Sequence, residues 1–290
     1  MNKYKIADIS IEIDCFGKIL KSELEKYKDG YLDNKDFTII SQKVQNIIIP
    51  ENNIVLKPDS IIDTYIMENN DTISFFYKEN KKCILNIEFD KKSNDTKIFL
   101  SGRTKKEPNM TLEDWEYNQT GYVFSKALVE YNGFCLHASA ISVNNKAILF
   151  SAPSGTGKTT HTNLWLQYFG KDRVNIFNDD TPAIRQVIDK FYAYGTPWAG
   201  SSRINSNIKA PIAAIVFLKQ GEKNTIRKLS NKEAVNQLFF QAIIPKYNNE
   251  KVDKILCIID QIIRKIPVYE MRCRIDNDAV KTVYEAVFGG

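Results

Sequence analysis

The sequence has little that would anchor, cross-link or metallate it. No apolar run approaches the ~18 residues that a membrane-spanning helix needs, so none is expected. The five cysteines (Cys15, Cys83, Cys135, Cys257 and Cys273) are odd in number, widely scattered and without a C-x-x-C pair. That spacing argues against zinc and thioredoxin chemistry and fits reduced thiols. Histidine occurs only twice, at His137 and His161. The guanine-reading Asn-Lys-x-Asp is missing: "NKAI" at Asn145 lacks the Asp, and "NKDF" at Asn34 places it one position early. Asp-Phe-Gly is missing as well. The opening "MNKYKIADISIEID" alternates and carries acids, unlike a signal or transit peptide, so a cytoplasmic location is expected.

The net charge of +5 is spread over loops such as "DKKSNDTK" and "RTKKE". Basic residues clustered with exposed aromatics would mark a nucleic-acid face. That pattern is not found, and neither a nucleic-acid nor a membrane partner is expected. The hydrophobic content of 43% over 290 residues is enough for one large domain or two small ones.

Residues 4–101 read as β-rich. Ile9, Ile11, Ile13 and Cys15 alternate with polar partners, as in a half-buried strand. "DTISFFYK", "KCILNIEF" and "TKIFLS" are separated by turn-forming "KENK" and "DKKSND", which predicts an antiparallel meander. A polar stretch ending near Pro108 sets the expected boundary, giving regions 1–108 and 109–290. Thr111 with Asp114 starts a helix whose apolar face includes Val123, Phe124 and Leu128. The second region mixes strands and helices: "FCLHASAIS", "AILFSA", "RVNIF", "IAAIVFLK" and "VYEMRCR" read as strands. "NKEAVNQLFFQ", about Asn249 to Lys265, and "DNDAVKTVYEAVF" read as helices. The chain is thus expected to be α/β, or α+β overall.

The chemistry centres on "SAPSGTGKTTHTNLW". Ala152 to Thr159 follow G-x-x-x-x-G-K-[ST], with Ala in the first position. Such a loop turns successive backbone N–H groups onto phosphate oxygens. Ser154, Gly155, Thr156, Gly157, Lys158, Thr159 and Thr160 are the expected nucleotide-binding residues. Lys158 would reach the phosphates and the Thr159 hydroxyl would sit on Mg²⁺. A buried strand precedes the loop and a helix follows it, as the motif requires. Asp179 and Asp180 in "NIFNDDTPAI" lie only one short helix beyond Lys158. Paired carboxylates there can divide labour between metal and nucleophile, although Asn-Asp-Asp is also ordinary turn chemistry. His137, on the strand before the loop strand, can be brought beside the phosphates by a hairpin. His161, one turn into the helix, either packs or faces solvent. "YGTPWAGSSR" contains Gly195 and Gly200, which would let the backbone approach a ligand. Its Arg203 could stabilise charge on a transferring phosphoryl group, against the plainer reading of a turn packed around Trp198.

"LHASAISVNNKAILFSAPSGTGKTTHT", followed closely by "NDD", resembles the nucleotide site shared by HPr kinase/phosphorylases and ATP-dependent phosphoenolpyruvate carboxykinases. The resemblance covers about residues 120–290, most specifically 137–180. His137, Ser139 and Ala140 look most like the carboxykinases. The length and "GTPW" look more like HPr kinases and their small relatives, some of which phosphorylate free serine or precursors of ribosomal peptides. The resemblance implies a C-terminal P-loop domain with a mixed sheet and an ATP- and Mg²⁺-dependent kinase. The implied acceptor is a hydroxyl of a peptide, a protein or a small molecule. Asp179 matches the HPr kinase general base, Asp180 matches the carboxykinase metal-holding acid, and His137 matches a carboxykinase metal ligand. Region 1–108 is then the expected acceptor-recognition part, and a homo-oligomer is left open. A carboxykinase-like enzyme and a non-catalytic nucleotide-binding adaptor are the competing readings.

Overall fold

The computed structural model describes residues 1–30, 34–50, 54–58, 63–105, 107–244 and 248–289. The chain forms two compact units, Met1–Phe124 and Ser125–Gly290, and the seam falls inside a helix. Both units carry a mixed sheet, and six α-helices occur among the described residues.

The first unit begins with β1 (Asn2–Ile6) and β2 (Ile9–Asp14), joined by a turn in which Ala7 and Asp8 have positive φ. Then come α1 (Lys18–Leu24), β3 (Phe37–Lys43), β4 (Ile54–Pro58), β5 (Asp63–Glu68), β6 (Thr72–Glu79), β7 (Lys82–Asp90) and β8 (Thr96–Leu100). The sheet order is β1-β2-β3-β8-β7-β6-β5-β4. The expected meander is present from β4 to β8, all antiparallel. It does not extend to the start of the unit, because β3 pairs in parallel with both β2 and β8. Parallel neighbours need long crossovers rather than tight turns, so local turn chemistry does not announce them. α2 (Leu112–Leu128) starts at a reciprocal cap: the Asp114 N–H donates to Thr111 Oγ1 at 3.1 Å, and the Thr111 N–H donates to Asp114 Oδ2 at 3.0 Å.

In the second unit the expected strand 134–142 is broken in two. β9 (Gly133–Cys135) pairs with β13 (Ala183–Val187), whereas β10 (Ala138–Val143) pairs with β11 (Lys146–Ser151) and β12 (Val174–Asn178). The break falls at Leu136 and His137. The remaining elements are α3 (Lys158–Phe169), β14 (Lys190–Tyr194), β15 (Lys209–Gln220), β16 (Thr225–Lys228), α4 (Asn231–Gln241), α5 (Asn249–Lys265), β17 (Val268–Cys273) and α6 (Asn277–Phe288). Asn144 and Asn145 both have positive φ, as a two-residue hairpin turn between β10 and β11 requires. Ser230 and Glu233 cap α4 reciprocally, each satisfying a backbone N–H that the first turn leaves without a helical partner.

The central strands of this sheet are buried on both faces. On β15, Ile215 and Phe217 join the apolar layer that holds Leu238, Ile255, Ile259 and Ile262 of α4 and α5. Ala214, Val216 and Leu218 join the opposite layer with Trp165 of α3 and Val280 and Val283 of α6. Covering both faces explains why these strands read as continuous apolar runs rather than alternating ones. β11, β15 and β17 are parallel neighbours, so the loop after β11 leaves the C-terminal edge of that parallel set. Ligands gather at such edges in α/β sheets.

Candidate active site

The loop between β11 and α3 turns on two glycines. Gly155 and Gly157 have φ of +79° and +111°, a region that a side chain resists. A Cβ on Gly155 would meet nothing within 4 Å, so the loop is open on that side. The first turn of α3 opens onto the same place, and the N–H groups and dipole of a helix N-terminus favour an anion.

Lys158 follows directly and is largely buried. Its ammonium donates to the Ala152 carbonyl at 3.0 Å and lies 3.0 Å from His137 Nε2. Burial pulls its pKa below the usual lysine range, against the opposing pull of Asp180 and Asp179. Thr159 Oγ1 donates to Asp179 Oδ2 at 2.9 Å, and Ser139 Oγ donates to Asp179 Oδ1 at 2.7 Å. Both oxygens of this buried carboxylate are therefore engaged.

Asp180 is more open, with 36% of its side chain exposed against 5% for Asp179 as a residue. Its Oδ1 is 3.4 Å from His137 Nε2, and its Oδ2 accepts from Thr181 Oγ1 at 2.9 Å. Burial raises its pKa, but His137 (when its Nε2 carries hydrogen), Thr181 and the Lys158 charge outweigh that, and the net shift is downward. Asn178 fixes the turn that carries both acids. Its Oδ1 accepts from the backbone N–H groups of Asp180 (3.0 Å) and Thr181 (2.7 Å). Its Nδ2 donates to the Thr196 carbonyl at 3.0 Å and to the Trp198 carbonyl at 3.2 Å. The "GTPW" segment is thereby clamped to the acidic turn.

A cleft of about 370 Å³ is lined by His137, Ser154, Gly155, Gly157, Lys158, Thr159, Thr160, Asp179 and Asp180, closed on one side by Ala199–Ser202. Thr156 faces a second cavity of about 430 Å³, which it shares with Gly157, Thr160, Leu164, Leu218 and Arg274. Arg203 does not line the first cleft; its backbone carbonyl accepts from Asn205 Nδ2, and its φ is +54°. Gly195 is not open to a ligand. A Cβ there would run into the backbone carbonyls of Ser206 and Phe177, so glycine serves close chain packing. Gly200 does abut the site: a Cβ would come within 3.0 Å of the Asp180 side chain. His161 packs inside, its ring tilted against Phe150 with centroids 4.7 Å apart and accepting from Trp165 Nε1 at 3.3 Å. Burial pushes its pKa down to about 4.

Among the described residues no three His, Cys, Asp or Glu side chains gather as a metal site. The oxygens present nonetheless suit Mg²⁺, which is held by one or two carboxylates together with substrate phosphates and water.

The sequence matches no known protein family and no curated protein. Among solved structures, the Hpr(Ser) kinase/phosphatase from Coxiella burnetii is similar with a TM-score of 0.31 and 13% identity, over 52% of this chain and 95% of that one. A likeness this slight carries no argument, and the reading of the site rests on its geometry. No helix among the described residues is long and apolar enough to cross a membrane.

Sequence reasoning did not find Gln241, whose Oε1 lies 3.2 Å from His137 Nδ1, although the two residues are 104 apart. Nothing near either residue signals that contact. Asn178 and Thr196 were also missed, because their hydrogen bonds close a loop that composition alone leaves open.

Proposed function

We propose that this chain is an ATP- and Mg²⁺-dependent phosphotransferase that moves the γ-phosphoryl group to a hydroxyl. The observation that carries the reading is the hydrogen bond from Thr159 to Asp179, which ties the phosphate-loop hydroxyl to an acid on the adjoining strand. A P-loop Thr and a strand-end Asp together hold Mg²⁺ in this type of site. The acceptor oxygen would form a bond to the γ-phosphorus as the bond to the β–γ bridging oxygen breaks, ADP leaves, and the hydroxyl proton passes to a carboxylate.

The hydrogen bonding favours exchanging the two acid roles implied by the resemblance. Asp179 has both oxygens occupied and sits against Thr159, which suits the metal side. Asp180 is the more exposed and lines the open cleft, which suits the acceptor side. Lys158 would swing from the Ala152 carbonyl to the phosphates. The apolar walls of the second cavity, Leu164 and Leu218, suit a nucleobase. Acceptor recognition by residues 1–108 remains part of this proposal.

The test is incubation with ATP labelled at the γ-phosphate, Mg²⁺ and a panel of free serine, threonine and hydroxyl-bearing peptides. One labelled phosphomonoester is expected, and no label on any acceptor would overturn the reading. The proximity of His137 to both Asp180 and Lys158 is the one observation that favours the carboxykinase-like alternative. Formation of phosphoenolpyruvate from oxaloacetate and ATP would decide for it.

A further inference from the structure

The chain after α4 zips onto the break between β9 and β10. The His137 N–H donates to the Gln241 carbonyl at 2.8 Å, and the Ile243 N–H donates to the Cys135 carbonyl at 2.9 Å. This backbone pairing delivers the Gln241 side chain to the His137 ring. Gln241 Oε1, which only accepts, faces Nδ1 at 3.2 Å. Lys158 Nζ, which only donates, faces Nε2 at 3.0 Å. A neutral imidazole carries one hydrogen. The two partners, from different parts of the chain, therefore specify the same tautomer: hydrogen on Nδ1, lone pair on Nε2.

The choice matters because Nε2 has two neighbours of opposite charge. Asp180 Oδ1 lies only 3.4 Å away. In the other tautomer the Nε2 hydrogen would point at the Lys158 ammonium and would bind Asp180 instead. We propose that Gln241 is a positioning residue: it holds His137 as the Nδ1–H form, so that the ring docks Lys158 and leaves Asp180 Oδ1 free for the acceptor hydroxyl. The role in transfer rests on the function proposed above; the tautomer does not.

The test uses the full chain with ¹⁵N-labelled histidine, read by long-range nitrogen–hydrogen correlation without nucleotide. With only two histidines the spectrum holds two rings. His161 is an internal reference, since its Nε2 accepts from Trp165. Wild-type His137 is expected to be protonated at Nδ1 and bare at Nε2, and in Gln241→Leu, where only Lys158 still favours a bare Nε2, the share of the Nε2–H form rises. In a transfer assay Gln241→Leu is expected to lower kcat by up to about tenfold, the upper end of what one neutral hydrogen bond contributes, with KM for ATP moving less than about twofold. A wild-type ring protonated at Nε2 overturns the proposal, whatever the stability of the variant. An unchanged ring in the variant overturns it too, and a changed ring with unchanged kcat overturns the positioning role. A wild-type chain with the expected ring that transfers no phosphate overturns the kinase reading and leaves the tautomer lock standing.

Discussion

Thr159 Oγ1 and Asp179 Oδ2 are 2.9 Å apart, joined by a hydrogen bond that links the first turn of α3 to the end of β12. Ser139 of β10 reaches the other oxygen of the same carboxylate at 2.7 Å. Three elements thus converge on one acid, and the acid next to it is left facing the cleft.

Lys158→Ala is expected to abolish ATP-dependent turnover, by at least ~10²-fold, because it removes the cation proposed to meet the phosphates. The fold should persist, since the Nζ bonds one loop carbonyl and a histidine rather than the core. Calorimetry with ATP and Mg²⁺, together with circular dichroism, checks both halves. Unchanged affinity and turnover would sink the phosphate-loop reading.

The two acids should separate by substitution. Asp179→Asn turns one acceptor oxygen into a donor that faces Thr159 or Ser139, so Mg²⁺-dependent nucleotide binding should weaken about tenfold. Asp180→Asn should keep that binding and lose transfer by ~10²-fold, because an amide cannot take the hydroxyl proton. Binding isotherms and single-turnover rates measured on both variants distinguish the roles, and the reverse pattern would restore the division implied by the resemblance.

Gly200→Ala places a Cβ within 3.0 Å of the Asp180 side chain, on a backbone with φ of +61°. The strained backbone should cost on the order of 1–3 kcal/mol, and displaced Asp180 should lower kcat more than KM for ATP. Thermal unfolding and steady-state kinetics measure the two effects. A fully active variant would show that Gly200 has no bearing on Asp180.

His161 makes stability pH-dependent with a definite sign. Burial holds its folded-state pKa near 4, below the unfolded value of about 6.5. The unfolded chain therefore takes up the proton first as pH falls. Stability is complete above about pH 6.5 and declines down to about pH 4, by ~3 kcal/mol in all. Denaturant midpoints between pH 7 and pH 5 read the slope before carboxylates titrate strongly. His161→Leu should start less stable, since Trp165 Nε1 loses its acceptor, and should show a flatter slope. An equal slope in both would assign the effect elsewhere.

Much of the second unit was legible because its signals are local. The Ser230–Glu233 cap, the Asn144–Asn145 turn and the glycines of the loop between β11 and α3 each specify a backbone conformation within a few residues, whatever surrounds them. The apolar runs at 148–150 and 214–218 named strands covered on both faces. The acidic pair after β12 was legible as well, since a strand end followed by turn residues needs no distant partner.

What only the tertiary structure decided depends on pairing across long stretches of chain. The sequence read 134–142 as one strand, but β9 and β10 take different neighbours, and the break between them frees His137 to meet Lys158, Asp180 and Gln241. β3 enters the first sheet in parallel, which no turn announces. Asp179 and Asp180 are equivalent in sequence, and their difference comes from which hydroxyls lie opposite. Hydrogen bonds between side chains depend on ångström-level placement, which periodicity and spacing do not encode. The sequence therefore determined the glycine-bearing loop between β11 and α3 and the acidic turn after β12, and the packing of distant segments decided which hydroxyls meet Asp179, that Asp180 faces the cleft, and which side chains surround the His137 ring.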